Sequence, residues 1–263
     1  MTGTMRLARV TESPAAFMLS EPADMSRQSR PDYANEQIFQ RNRLPARSYY
    51  IPETSLLLNG RWDFHYAPTP EHSPSPLQDT PTTTESGLET TSDEEITWSS
   101  IEVPGHWQLQ GYGRPQYTNV IFPFPVCPPH VPTENPTGTY RRSFWVPRNW
   151  ADDSQLRLRF DGVDSAFHLW VNGIEMGYSQ GSRNPAEFDV TGLLRRNEEN
   201  EIWIRVYQWC DASYIEDQDQ WWLSGTASFL TIQECLPGST ADGVLRRHIP
   251  GCASSRFSIN CTH

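Results

Sequence analysis

Apolar and polar residues alternate one for one in several short runs of this chain. Trp62, Phe64 and Tyr66 alternate with Asp63 and His65, and Leu156, Leu158 and Phe160 alternate with Arg157 and Arg159. Phe167, Leu169 and Val171 repeat the pattern, as do Ile202, Ile204 and Val206. A period of two puts one set of side chains on one face of an extended chain, so each run predicts a half-buried strand. Ile101-Glu102-Val103 and the stretch TYRRSFWV from Thr139 add two more. Asn59-Gly60 and Asn172-Gly173 are tight-turn signals. Helical periodicity is nearly absent, and Val190 to Arg196 predicts at most a turn or two. Short strands divided by turns predict an all-β sandwich. Long crossings rich in proline favour a jelly-roll, and the six prolines between residues 123 and 136 make that segment extended and rigid.

The pattern fails in three places. Residues 1 to 40 are polar and aperiodic, which predicts a flexible N-terminal segment with order beginning near Arg41. Residues 67 to 97 are rich in Pro, Ser, Thr and acids and lack Arg and Lys, which predicts a long, disordered, acidic loop. Residues 226 to 263 show little strand alternation and predict a disordered tail. The folded domain is then expected over residues 41 to 225.

Composition narrows the function classes. The chain has 263 residues, with 21 basic and 32 acidic, a formal charge of −11. Every basic residue is Arg. That acidity argues against nucleic acid and anionic membranes as partners. No apolar run approaches the roughly 18 residues of a membrane span. The apolar patch Ala15 to Leu19 is too short for a signal-peptide core, which predicts a cytoplasmic protein. Five cysteines without a C-x-x-C spacing predict free thiols and no zinc site.

Candidate chemistry concentrates in SYIEDQDQWWLSG, residues 213 to 225. Carboxylates (Glu216, Asp217, Asp219) beside two tryptophans (Trp221, Trp222) suit a polyhydroxylated ligand. Asp217 and Asp219 would face one way in a strand, about 6 to 7 Å apart, within the ~5 to 9 Å used by paired glycosidase carboxyls. Solvated loop acids and a hard-cation site are the competing readings. Two adjacent tryptophans argue for a surface role, since a strand sends one of them away from the core. Asn119, beside the proline-rich stretch, is either a turn-capping residue or an amide that hydrogen-bonds vicinal hydroxyls. His106, His130 and His168 are scattered and read as structural.

Three long motifs occur in order: VPGHWQLQGYGRPQYTNVIFPFPVCPPHVPTENPTGTY, FDGVDSAFHLWVNGIEMGYSQGSRNPAEFDVT and SYIEDQDQWWLSG. Together they resemble the N-terminal region of β-galactosidases of glycoside hydrolase family 2, over about residues 36 to 225. The resemblance implies a sugar-binding jelly-roll domain. It implies that Asn119 and Asp219 contact galactose, and that Asp219 is one ligand of a sodium ion completed by a catalytic barrel. It places the catalytic glutamates in that barrel, so no residue of this chain is expected to be catalytic. Sodium and magnesium are implied for the complete enzyme, with neither expected to bind this chain tightly. The complete enzyme is implied to be a homo-oligomer acting on β-galactosides.

After Gly225 the family pattern breaks: Thr226-Ala227-Ser228-Phe229 stands where a branched aliphatic, an aromatic and Arg-Asp are usual. This predicts a tail foreign to the family, from a shifted frame or unspliced message. The leading expectation is an N-terminal part of a β-galactosidase, inactive alone. The alternatives are a stand-alone carbohydrate-binding module and an assembly element that complements a barrel-bearing chain.

Overall fold

A computed structural model of the protein describes residues 30–47, 52, 54–76, 96–216 and 219–235. Every regular element of length among them is a strand: β1 (Gln40–Arg41), β2 (Ser55–Leu57), β3 (Gly60–Ala67), β4 (Ser99–Val103), β5 (Gly105–His106), β6 (Gln116–Thr118), β7 (Thr137–Trp145), β8 (Gln155–Phe160), β9 (Ala166–Val171), β10 (Ile174–Gln180), β11 (Ala186–Asp189), β12 (Glu199–Tyr207), β13 (Gln220–Trp222), β14 (Gly225–Thr226) and β15 (Leu230–Cys235). One sheet runs β1-β10-β9-β12-β7-β3-β4 and a second runs β11-β8-β15-β2. Two-stranded ribbons, β6 with β13 and β5 with β14, stand apart from both. The chain changes sheet between β7 and β8, β8 and β9, β10 and β11, and β11 and β12. The expected all-β sandwich is therefore the fold.

The period-two runs explain how the sheets pack. Trp62, Phe64, Leu169, Ile202, Ile204 and Val206 from the first sheet are buried in one cluster with Leu156, Leu158, Phe160, Phe188, Leu230 and Ile232 from the second. Each fully buried side chain of this size stabilises the fold by roughly 1.5–3 kcal/mol. Phe64 touches Tyr112 and Tyr140, both with ring centroids at 4.8 Å, in edge-to-face or tilted geometry. The alternate side chains of the first sheet are not bare. Arg141 lies over the Trp98 ring at 4.3 Å, and Trp98 meets Trp203 edge-on at 5.2 Å.

Asn172 (φ 50°) and Gly173 (φ 80°) close the β9–β10 hairpin, as their sequence predicts, because both residues adopt the left-handed region that such a turn demands. Asn59-Gly60 does not close a hairpin. It carries the chain from β2 in the second sheet to β3 in the first, and Arg142 Nη1 donates to the carbonyls of Leu58 and Asn59 at 2.6 and 2.8 Å. Val190 to Arg196 forms turns and no helix. At Gly177 the carbonyl oxygen of Arg41 would lie 2.2 Å from any added Cβ, so only glycine lets β1 pair with β10 here.

Two boundaries differ from those the sequence suggests. Order does not wait for Arg41. Asp32–Ala34 forms a short 3-10 turn, Tyr33 stacks on Tyr207 at 4.5 Å, and Ile38 packs on a small buried cluster with Tyr178 and Cys210. Nor does the domain end at Gly225: β14 and β15 continue it to Cys235, and all six residues of β15 are buried. β15 was hidden because only Leu230 and Ile232 carry its alternation, while its other face buries Thr231 and Gln233 among polar partners. In the 67–97 segment, Pro70–His72 forms a 3-10 turn and Ser73 is buried. Residues 77–95, 1–29 and 236–263, on which the remaining flexible-segment expectations fall, lie outside the described residues. Among the described residues no helix is long and apolar enough to cross a membrane.

Asp32 is the anchor of the early segment. Its carboxylate accepts from Arg41 Nε and from Arg41 Nη2 at 2.8 Å, and lies 3.3 Å from His168 Nε2. Burial alone would raise its pKa, but the hydrogen bonds from His168 and Arg41 win and hold it far below the usual carboxylate range. The folded carboxyl is thus more acidic than an unfolded aspartate, whose pKa is about 3.9. The stabilisation is complete above that value and is lost progressively as pH falls below it. Asp32→Asn is expected to cost about 1.5–3 kcal/mol at pH 7, with the gap to wild type narrowing below about pH 4. Melting temperatures of both proteins across pH 2 to 8 check this; a gap that does not change with pH would refute it.

Candidate sugar-binding site

The first and third motifs of the sequence meet in one ribbon. β13 pairs antiparallel with β6, with Gln220 opposite Thr118, Trp221 opposite Tyr117 and Trp222 opposite Gln116. Continued by one rung, this register sets Asn119 across from Asp219. Two residues a hundred positions apart in sequence are thereby brought to one end of one ribbon. Both are exposed.

The ribbon has a wet face and a dry face, as strand alternation requires. On the wet face Tyr117 and Trp221 lie ring to ring at 5.6 Å, and the Tyr117 hydroxyl donates to Asp219 Oδ1. That hydrogen bond pushes the Tyr117 phenol up. On the dry face Trp222 Nε1 donates to Thr118 Oγ1 at 2.6 Å. Exposure separates the neighbouring tryptophans cleanly: 56% for Trp221 and 5% for Trp222. One indole is therefore core and the other is offered to solvent beside a carboxylate.

An aromatic layer supports the dry face. Trp222 meets Trp209 at 5.5 Å, Trp209 meets Phe124 at 4.8 Å, and Tyr214 meets Phe122 and Phe124 at 5.5 and 5.4 Å. Phe124 belongs to the proline-rich stretch and Phe122 precedes its first proline, and this restricted backbone holds both in place at little entropic cost. The Tyr214 hydroxyl donates to the His130 carbonyl at 2.6 Å and accepts from the Cys127 amide at 3.2 Å. Asn135 ends the stretch: its amide donates to the Trp209 carbonyl at 2.9 Å and its Oδ1 accepts from the Trp209 amide at 2.8 Å. Loop and aromatic floor are one unit.

The three candidate acids part company. Asp219 stands on the wet face. Asp217 lies outside the described residues, so the Asp217–Asp219 pair does not enter the geometry. Glu216 turns inward, where its Oε1 accepts from the Ser182 amide at 3.2 Å and from Ser182 Oγ at 2.6 Å. Burial pushes its carboxyl up, against those hydrogen bonds. Three residues that sequence reasoning missed join it: Asp164, Ser182 and Arg183. Their signal was present in the second motif, where Gly181-Ser182-Arg183 interrupts two strands.

His106 faces Asp164 and Ser224, and desolvation lowers its pKa. His130 serves through its backbone, and His168 is held between Asp32 and the Tyr207 hydroxyl at 2.8 Å. For a cation, Asp219 offers an exposed carboxylate with one oxygen already engaged by Tyr117. That fits a single ligand of a sodium ion, a hard cation that takes oxygen donors. Among the described residues no group of three His, Cys, Asp or Glu side chains is placed to hold a metal ion. Cys127, Cys210 and Cys235 are free thiols, and burial pushes the Cys210 thiol up to about 12.

Comparison with known proteins agrees with the motifs. The profile of the glycosyl hydrolases family 2 sugar binding domain matches residues 56–232. A β-galactosidase of Alteromonas mediterranea is 47% identical over 210 residues, covering 74% of this chain and 19% of that protein. One from Arthrobacter sp. (strain B7) is 45% identical over 211 residues, covering 78% of this chain and 21% of that protein. This chain thus spans about a fifth of the length of the relatives it matches. The solved β-glucuronidase of Faecalibacterium prausnitzii is similar at 16% identity with a TM-score of 0.47, over 72% of this chain and 33% of that one, a likeness too slight to bear on function. With its profile match covering most of the described sandwich, this chain belongs to glycosyl hydrolases family 2 through its sugar binding domain.

Proposed function

We propose that this chain forms one wall of the galactose site of a β-galactosidase, with Asn119 and Asp219 as its sugar contacts. The observation that carries the reading is the β6–β13 ribbon, which sets an exposed amide, carboxylate and indole at one end of a rigid floor. Carboxylate and amide bind vicinal hydroxyls, and an exposed indole covers the apolar face of a sugar ring. Bond cleavage is assigned to carboxyl groups supplied by another part of the assembled enzyme, because Glu216 is committed to Ser182 and Asp219 stands without a facing acid among the described residues. Asp219 would also be one ligand of a sodium ion. Magnesium is assigned to no described residue of this chain.

A fixed protein neighbour is favoured over a stand-alone module. Val120, Ile121, Val126 and Ile215 are all exposed large apolar side chains of the segments that build the site. Four such side chains in the two segments that build the site suit burial against a protein neighbour. Such a domain would serve a cytoplasmic, homo-oligomeric enzyme acting on β-galactosides.

The test is a chimera in which this sandwich replaces the matched region of the Alteromonas mediterranea β-galactosidase. It is expected to hydrolyse a chromogenic β-galactoside. Asp219→Ala should lower kcat/KM about a hundredfold, the scale of losing a charge-assisted contact to a bound hydroxyl, and Asn119→Ala, a neutral contact, about tenfold. The purified 263-residue chain is expected to show no turnover and no calorimetric galactose binding. Full activity in Asp219→Ala, a folded but inactive chimera, or clear turnover by the chain alone would each overturn the reading.

A further inference from the structure

Asp219 sits in a segment that is gripped on both sides by a turn remote from it in sequence. That turn joins β10 to β11, with Gly181 (φ 103°) and Arg183 (φ 65°) in the left-handed region and Asn184 N donating to the Gly181 carbonyl at 3.2 Å. Upstream of Asp219, Glu216 Oε1 takes both the amide and the hydroxyl of Ser182. Downstream, Arg183 Nη2 donates to Gln220 Oε1 at 2.5 Å. A third hold follows at Gly225, which exchanges both backbone hydrogen bonds with Asp164 at 3.0 Å each. Asp164 is 3% exposed, lies 3.6 Å from Arg183 Nε, and its Oδ1 has no hydrogen-bond partner.

We infer that the Ser182–Arg183 turn and Glu216 are positioning residues for Asp219, setting the sugar affinity through the aim of that carboxylate. This rests on the reading that Asp219 contacts sugar. The physical logic is a lever with two fixed ends. A carboxylate on an exposed strand end loses its aim unless the backbone on each side is pinned, and a misplacement of about 1 Å costs on the order of a hundredfold in such sites. Ser182 holds the Glu216 side chain three residues before Asp219, and Arg183 holds the Gln220 side chain directly after it. Arg183 is also the cation that opposes the upward shift of both buried acids, Asp164 and Glu216. Its removal takes the guanidinium away from both carboxyls and leaves their mutual repulsion less opposed.

The merely structural alternative is that these contacts stabilise the domain as a whole. Amide hydrogen exchange of the full 263-residue chain separates the two. Arg183→Met and Glu216→Ala are expected to speed exchange at least tenfold in the peptide spanning residues 214–222, with the thermal midpoint of the sandwich unchanged. Glu216→Gln keeps the accepting oxygen and is expected to exchange as wild type. In the active chimera, Arg183→Met should raise KM about tenfold, and Asp219→Ala added to it should cost much less than Asp219→Ala alone.

Unchanged exchange in both variants overturns the inference whatever the sugar results. So does faster exchange with KM unchanged by Arg183→Met but raised by Asp219→Ala. If exchange rises while neither variant moves KM, the grip is real and the sugar-contact reading of Asp219 is what fails. Should Arg183→Met not fold, Ser182→Ala reports on the same hold through the same peptide.

Discussion

A chain cut after Gly225 is expected to give no cooperative unfolding transition, whereas one cut after Leu236 is expected to melt like the full protein. β15 is the reason. It is an inner strand of the four-stranded sheet, paired to β8 from Leu230 through Cys235 and to β2 from Thr231 through Gln233. Leu230 and Ile232 are fully buried and contribute roughly 1.5–3 kcal/mol each. The hydrogen bonds on both flanks add about 0.5–1.5 kcal/mol apiece. Removing the strand also strands its partners: the Asp161 amide loses the Phe229 carbonyl, the Leu58 amide loses the Leu230 carbonyl, and the Ala151 amide loses Glu234 Oε1. Against a typical domain stability of about 5–15 kcal/mol, the sum is comparable to the whole. Circular dichroism melts of the two truncations decide it. A cooperative transition in the Gly225 truncation would show that β15 is an accessory strand.

The second large effect is expected at Glu187, a β11 residue on the outer face of the same sheet. Arg159 is 1% exposed and donates to Glu187 Oε1 at 2.6 Å and to Asp161 Oδ1 at 2.5 Å. Arg47 Nε reaches Glu187 Oε2 at 2.7 Å, and Arg157 lies 3.7 Å away. Arg47 Nη2 continues the network to Gln233 of β15 at 2.6 Å. Desolvation works against the Arg159 charge, and the hydrogen bonds from Glu187 and Asp161 overcome it, leaving its pKa raised. Glu187→Ala removes the shared anion from three arginines. Breaking a buried pair from one side costs about 3–5 kcal/mol, because the surviving charge is left in a poor solvent. Replacing both members, as Arg159→Met with Glu187→Leu, is expected to cost less than Glu187→Ala alone. Urea unfolding of the three variants measures it. A loss below about 1 kcal/mol in Glu187→Ala, or strict additivity in the pair, would refute the account.

The sandwich was legible because its core strands alternate strictly. Trp62 and Phe64, Leu156, Leu158 and Phe160, and Ile202, Ile204 and Val206 all face inward as their spacing demands. β15 and the Asp32 segment escaped notice for a shared reason: both bury polar groups. Gln233 and Asp32 read as surface residues until Arg47 and Arg41 are found beside them. Asn59-Gly60 carries a hairpin's residues but joins strands of different sheets, a matter of tertiary destination that local turn chemistry cannot encode. At the site, the motifs named Asn119 and Asp219 but said nothing of their pairing, which depends on a strand register across a hundred residues. The inward turn of Glu216 was equally invisible, since its partner Ser182 comes from a third segment.

The ribbon that sets Asn119 across from Asp219 also ties the two positions together. A change that shifts the register of β6 on β13 carries both side chains with it, so under the proposed function two sugar contacts written a hundred residues apart answer to one pair of strands.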